Sequence, residues 1–377
     1  MIALAACEAE KKPAPEAATT YTPVAFDALP GWRDDALASA LPAWRRSCAR
    51  LLSGPGDREV GPAAGTVADW RPVCAGLARM PDGDTAALRG FIEANLAPLQ
   101  VRGAADDPGL FTGYFEPIIE ASRERSPRYH EPIYALPRDH VSVRLGAFDP
   151  DLEGRRIVGR VENGRLVPYR QRGEIAAGAI DETADVLFWA RDTLDVFILQ
   201  VQGSGIVALP DGTRTRIGFA GHNGHDYGSV GRFLIERGEL DAGRAGWEDI
   251  RAWLEANPET MRETLAVNRR FIFFREIDGD GPIGASGVTL TAERSLAVDP
   301  KHVPLNVPVW LDAEHPDGDA ERLQRLMLAQ DTGNAIRGAV RGDFYWGTGR
   351  AALDKAGRMK SRGAYYILVP RTLVPAS

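Results

Sequence analysis

Residues 326–347 read Leu-Met-Leu-Ala-Gln-Asp331-Thr-Gly-Asn-Ala-Ile-Arg-Gly-Ala-Val-Arg-Gly-Asp343-Phe-Tyr-Trp-Gly, an apolar run that delivers one carboxylate straight into a glycine-marked turn. The run ahead of Asp331 is short and continuously apolar, as a buried strand requires, and Thr332-Gly333-Asn334 supplies the turn chemistry that ends it. Asp343 follows twelve residues later. With residues 335–338 as a return segment, Asp331 and Asp343 are expected to face one pocket from neighbouring strand ends. The same local pattern also fits a pair of ordinary turn aspartates.

Working outward, 377 residues suggest two domains, or one domain with a large insertion, and are enough to bury a core without a metal or disulfide. Forty glycines and 26 prolines point to many turns and short strands, so a mainly β fold is expected. The net charge of -7, without any long Lys/Arg block, excludes a nucleic acid as the main ligand. No run of about 18 apolar residues occurs, so no membrane-spanning helix is expected.

Helical spacing marks residues 34–52 and 85–101, where Leu37, Leu41, Trp44, Cys48 and Leu51 fall on one face. After about Leu110 the texture changes to short strands with Pro/Gly breaks, through residues 111–117, 132–137 and 186–189. Helical periodicity returns over 227–240 and 247–267, with a new helix starting at Asn257-Pro258-Glu259. Beyond a junction near Asn268, strands are expected at 271–274, 288–290, 296–298, 307–311, 326–329 and 365–369. Leu4-Ala-Ala-Cys7 has the form of a bacterial lipobox, although only six residues precede the cysteine, and residues 8–24 read as a Pro/Ala-rich disordered tether. Cys48 and Cys74 sit in similar Trp-Arg-x-x-Cys contexts and are either paired, as export would allow, or two buried thiols. No Cys/His set with zinc spacing exists, and no metal or cofactor is expected.

Three aspartates, Asp299, Asp331 and Asp343, each follow or open a strand-like run. Here the chain resembles the MltA-type membrane-bound lytic murein transglycosylases, whose C-terminal 3D domain is named for three such aspartates. Further blocks agree in order: Phe111-Thr-Gly-Tyr-Phe-Glu-Pro117, Val201-Gln-Gly-Ser-Gly205, Phe219-Ala-Gly-His-Asn-Gly-His-Asp-Tyr227 and Asp331-Thr-Gly-Asn-Ala-Ile-Arg-Gly338. The resemblance covers residues 111–369, while the first hundred residues match only loosely.

The resemblance implies a double-psi β-barrel built from N- and C-terminal segments, with a second β-rich domain inserted and a sugar groove at their junction. The boundaries would be 1–30 for lipobox and tether, 31–110 plus 269–377 for the barrel with its N-terminal helices, and 111–268 for the insertion. Asp331 falls on the family's catalytic acid, which cleaves the β-1,4 bond between N-acetylmuramic acid and N-acetylglucosamine and leaves a 1,6-anhydromuramoyl end. One carboxylate suffices for this, as acid and then base, where hydrolytic glycosidases need two. An ordinary Asp at about 3.9 is almost fully ionised at pH 6, so burial or a like charge must raise it. Asp343 and Asp299 are expected to support it, by like charge or by holding loops. Tyr114, Glu116, Gln202, Gly203, Ser204, Gly205, Asn223, His225, Thr332, Gly333 and Trp346 are the expected substrate contacts. The implied partners are peptidoglycan glycan strands, the outer membrane through lipid on Cys7 facing the periplasm of a Gram-negative cell, and a cell-wall synthesis complex, with the protein a monomer. Two rival readings stand beside this one: an aspartic protease using the single Asp331-Thr-Gly triplet, and a non-catalytic peptidoglycan-binding protein.

Overall fold

The first N-terminal helix forms inside the 34–52 stretch that the periodicity marks, whereas the helix at 67–78 lies outside the marked stretches. In the computed structural model, which describes residues 19–103, 109–241, 246–279, 281–318, 322–333 and 335–374, α1 (Leu41–Leu51) buries Leu41, Trp44, Cys48 and Leu51. Cys7, residues 8–18 of the tether, Asp280 and Asn334 lie outside the described residues. The second helix, α2 (Val67–Ala78), starts at Thr66, whose backbone and hydroxyl both donate to Asp69 at 2.8 Å. Cys48 and Cys74 are joined in a disulfide that staples α1 to α2, with Cα atoms 5.5 Å apart.

Two expectations fail in this region. Helix α3 (Thr85–Asn95) stops at Asn95, and residues 96–101 are strand, because Pro98 cannot continue a helix and Leu96, Leu99 and Val101 bury against the sheet. The tether also ends early: Thr20–Pro23 forms β1, antiparallel to β2 (Leu96–Arg102).

Strand β3 (Leu110–Glu116) returns to the same sheet, and the chain then leaves it. Strands β4 (Ile118–Ser122), β5 (Glu131–Tyr134), β9 (Val186–Ala190), β10 (Ser204–Ala208), β11 (Arg214–His222) and β12 (Ile272–Ile277) make a six-stranded sheet. Its order is β12-β11-β10-β4-β9-β5. A three-stranded sheet of β6 (Val141–Arg144), β7 (Arg156–Glu162) and β8 (Arg165–Pro168) stands beside it. Around them pack α4 (Arg172–Ala176), α5 (Thr193–Gln202), α6 (Val230–Glu236), α7 (Trp247–Ala256) and α8 (Met261–Ala266). Helix α5 went unread because Leu194, Val196, Phe197, Ile198 and Leu199 are all buried, which leaves no polar face to show the period.

The last third rejoins β3. Strands β13 (Ser295–Val298), β14 (Pro308–Ala313), β15 (Leu323–Asp331), β16 (Arg341–Thr348) and β17 (Lys360–Pro370) pair in the order β17-β14-β15-β13-β16-β3, and β3 pairs back onto β17. Six strands therefore close a ring, followed outward from β17 by β2 and β1. Helix α9 (Arg350–Arg358) links β16 to β17. Residues 288–290 form no strand; a single bridge, Ile283 to Thr289, closes a compact loop there. A buried fork fixes the N-terminal segment to the ring: Arg294 donates to both oxygens of Asp35 at 2.8 Å, and Asp35 also accepts from Leu326 N at 3.0 Å. Among the described residues no helix is long and apolar enough to cross a membrane.

Candidate active site

Register places the two aspartates. Ala297 on β13 pairs with Asp331 on one side and Asp343 on the other, and Asp343 pairs in turn with Thr112 on β3. Paired residues project to the same face, so Asp331, Asp343 and Thr112 share it, and the period of two adds Tyr345 and Tyr114, themselves a register pair. The alternate positions Phe111, Phe115, Leu296, Val298, Phe344 and Trp346 fill the core behind. The two Asp backbones are thus two strand spacings apart, about 10 Å.

Asp331 reaches this face because of a bulge. Between Leu296–Ala329 and Ala297–Asp331 the register skips one residue, Gln330. Its side chain is fully buried, accepting from Ser295 Oγ at 2.6 Å and donating to Ala43 O at 3.0 Å and Ser47 Oγ at 2.8 Å. Bulges re-aim a neighbouring side chain, and this one is anchored on α1. The same helix holds the loop opposite: Arg50 Nε donates to Ser286 O at 3.0 Å and Arg46 Nε to Thr289 O at 3.1 Å. That loop lies against the bulge through Ser286 N and Gln330 O, 3.1 Å apart. A Cβ on Gly284 would sit 2.5 Å from Gln330 O, so the approach requires glycine.

The Asp331 carboxylate is asymmetrically held. Oδ1 accepts from Ala285 N at 2.8 Å and from Thr332 N at 2.9 Å, while among the described residues Oδ2 accepts only the Tyr114 hydroxyl at 3.1 Å. With two amides on Oδ1, Oδ2 is the oxygen left to carry a proton when the acid is protonated. Burial pushes Asp331 above its ordinary value, against the three hydrogen bonds that pull it down. Asp343 is pushed up to about 6, chiefly by burial and further by Asp331, while Thr112 Oγ1 at 2.6 Å and Arg341 oppose the rise. Arg341 in turn donates to Thr112 Oγ1 at 2.9 Å. Burial and the Asp331 charge raise the Tyr114 phenol well above its usual range, so it stays a donor.

The other expected site residues divide clearly. Asp299 is buried and holds the turn after β15: its Oδ2 accepts from Gly338 N at 2.9 Å and its Oδ1 from Lys301 N at 3.2 Å. Glu116 is fully buried in an ion pair with Arg216 at 2.8 Å and accepts Thr348 Oγ1 at 3.0 Å. Gln202 reaches β3 as a scaffold, its Oε1 accepting Phe115 N at 3.0 Å. Gly203 caps α5 at φ 82°, and Ser204-Gly205 begins β10. Trp346 is 5% exposed, packed against Phe344 with Lys355 over its ring, so its faces serve the core. Thr332 and Gly333 form the turn beside Asp331.

Asn223 and His225 lie elsewhere. Asn223 is buried and bonded to Arg170 O, Arg269 O and Phe271 N, and His225 Nε2 is 2.7 Å from Tyr169 O. Both line a cavity of about 470 Å³ beside β7 and β8, whose walls include neither Asp331 nor Tyr114. His222 lines it too, held down to about 4 by burial and nearby Arg270. Sequence reasoning missed Gln330, Arg46, Arg50, Gly284 and Ala285. Their contacts run between segments far apart in the chain, and no local spacing signals them.

Comparison with known proteins gives matches along most of the chain. Residues 110–275 match the MltA specific insert domain, and residues 294–369 match the 3D domain. Membrane-bound lytic murein transglycosylase A of Escherichia coli K12 is 32% identical over 293 residues, 76% of this chain and 72% of that protein. The crystal structure of MltA from Neisseria gonorrhoeae superposes with a TM-score of 0.80 at 34% identity, covering 96% of this chain and 97% of that one. Escherichia coli MltA with bound chitohexaose gives 0.67 at 26% identity, covering 96% and 97%.

Proposed function

This chain belongs to the MltA family of membrane-bound lytic murein transglycosylases, and on that footing we propose that Asp331 is its single proton shuttle. The enzyme cleaves peptidoglycan. The bond would be the β-1,4 link from N-acetylmuramic acid to N-acetylglucosamine. Protonated on Oδ2, Asp331 gives its proton to the glycosidic oxygen as the C1–O bond breaks. The resulting carboxylate, steadied by Ala285 N, Thr332 N and Tyr114, then takes the proton of the muramoyl 6-hydroxyl as that oxygen closes on C1. Protons balance and no water is consumed.

The observation that carries this reading is the fate of the other carboxylates. Glu116 and Asp299 are tied into structural contacts, and of the candidate carboxylates among the described residues only Asp343 shares the face of Asp331. We assign Asp343, Tyr114, Thr332 and Gly333 to supporting the acid and the sugar beside it. The strand ring is proposed to be the family's double-psi barrel, with residues 118–277 rather than 111–268 as the inserted domain, since β3 pairs within the ring and β12 within the six-stranded sheet. A relative's structure carries chitohexaose, which supports a glycan-binding groove here. Membrane-bound relatives support a location in the Gram-negative envelope; lipid on Cys7, holding it to the outer membrane, is the anchor we propose.

The test is product analysis from purified sacculi. Wild type should release 1,6-anhydro muropeptides, lighter by one water than hydrolysed ends, and Asp331→Asn should release none while melting normally. Anhydro product from a folded Asp331→Asn protein would sink the assignment.

A further inference from the structure

A second cavity of about 600 Å³ opens between α4, α5, α8, β5 and β9, within the range of small-ligand sites. Its walls are apolar and aromatic, with Trp189, Val196, Phe197, Leu265 and Phe271. It faces the side of α5 bearing Thr193, Val196 and Gln200, whereas Gln202, on the other side, reaches β3. A ligand here would not occupy the groove at Asp331.

The anomaly in the cavity is Arg172, 7% exposed, its guanidinium 4.9 Å and 5.2 Å from the Phe197 and Phe271 ring centres. Its Nε donates to Asn268 O at 2.8 Å, Nη1 donates to Gln200 Oε1, and Nη2 donates to Arg270 O. All three acceptors are neutral, and among the described residues no carboxylate pairs with it. A buried charge left without a counter-charge is costly, and arginine does not escape by losing its proton. The two acids of the cavity are already used: Asp181 accepts the Tyr134 hydroxyl at 2.6 Å, and Glu131 pairs with Arg262 at 3.0 Å. Arg172 carries five N–H donors and spends three, leaving two, the number a carboxylate takes in bidentate fashion. At the rim, Arg125 stacks on Trp189, so the approach is basic.

We infer that this cavity is a second binding site, which takes the free carboxylate of a short peptide or N-acyl amino acid against Arg172, its apolar body lying among Trp189, Phe197 and Phe271.

The test is isothermal titration of the full chain with N-acetyl-D-alanyl-D-alanine and N-acetyl-phenylalanine, each as the acid and as the carboxamide. At least one acid should bind saturably and at least tenfold more tightly than its amide. Arg172→Gln should remove that difference. Since Arg172→Gln also cuts contacts to the 268–271 segment that leads into β12 and can unfold the domain, Ala176→Trp, an exposed mouth residue, serves as the second variant. It should abolish binding and leave release of anhydro muropeptides from sacculi unchanged. No saturable binding by either acid, equal binding of acid and amide, or binding unaffected by Ala176→Trp would each overturn the inference.

Discussion

Asp343→Asn is expected to stabilise the protein at neutral pH, and the size of the effect follows from the site. The Asp343 carboxyl is raised from 3.8 to about 6, chiefly by burial. A raised carboxyl binds its proton more tightly folded than unfolded. Its contribution is therefore fully present below the unfolded value, fades as pH rises through about 6, and above that leaves folding opposed by about 3 kcal/mol, at 1.36 kcal/mol per pH unit. Asparagine removes the titration, and its Oδ1 still accepts from Thr112 Oγ1, now 2.6 Å from the aspartate. At pH 7.5 the gain should approach 3 kcal/mol, a rise in melting temperature of about 4 °C for a chain of this length. Thermal melts of both proteins at pH 4, 5.5 and 7.5 read it directly: near-coincident at pH 4, separating at 5.5, farthest apart at 7.5. In an Asp331→Asn background the gain should shrink, because the Asp331 charge adds to the rise. A variant less stable than wild type at pH 7.5, or a difference constant across the three pH values, would refute the reasoning.

Tyr114→Phe removes the hydroxyl that donates to Asp331 Oδ2, a bond that lowers the acid, so Asp331 should titrate higher and the pH profile of sacculus cleavage should move to the alkaline side. Gly284→Ala places a Cβ 2.5 Å from Gln330 O and pushes away the loop that donates Ala285 N to Asp331. Turnover should fall at least tenfold with little change in sacculus binding, which a pelleting assay measures beside product release. Breaking the Cys48–Cys74 bond by Cys48→Ser frees a 26-residue separation in the unfolded chain, and denaturant titration should show a loss of about 3.5 kcal/mol in the chain-entropy model.

The readable parts of this protein were those whose signal is local. The apolar run into Asp331, the Leu37-to-Leu51 stripe and the strands at 296–298 and 307–311 declare themselves in their own residues, the helix by its period and the buried strands as short continuous apolar runs. Asp331 and Asp343 share a face as expected, but through Ala297 between them, which nothing in the sequence around either announces. Glu116 illustrates the converse. A carboxylate beside a Gly-Tyr-Phe block looked available for chemistry, yet Arg216, a hundred residues on, neutralises it. Asn223 and His225 misled for a similar reason: polar loop residues next to glycine fit a ligand or a backbone carbonyl equally well, and here carbonyls take them.

Gln330 shows why the decisive geometry was hidden although its residue adjoins the most legible one. A polar side chain at the end of an apolar strand reads as the edge of burial, the place where the core gives way to solvent. In the fold it is the reverse: fully buried, it spends its amide on α1 and Ser295, and by occupying one extra position in β15 turns Asp331 onto the face with Tyr114 and Thr112. Helix α1 thus serves the site twice, once through Ala43 and Ser47 under the bulge and once through Arg46 and Arg50 on the loop that carries Ala285. Both donors on Asp331 Oδ1 are backbone amides, one from that loop and one from the turn. The acid's proton position is therefore set by backbone placement more than by any side chain a motif could record.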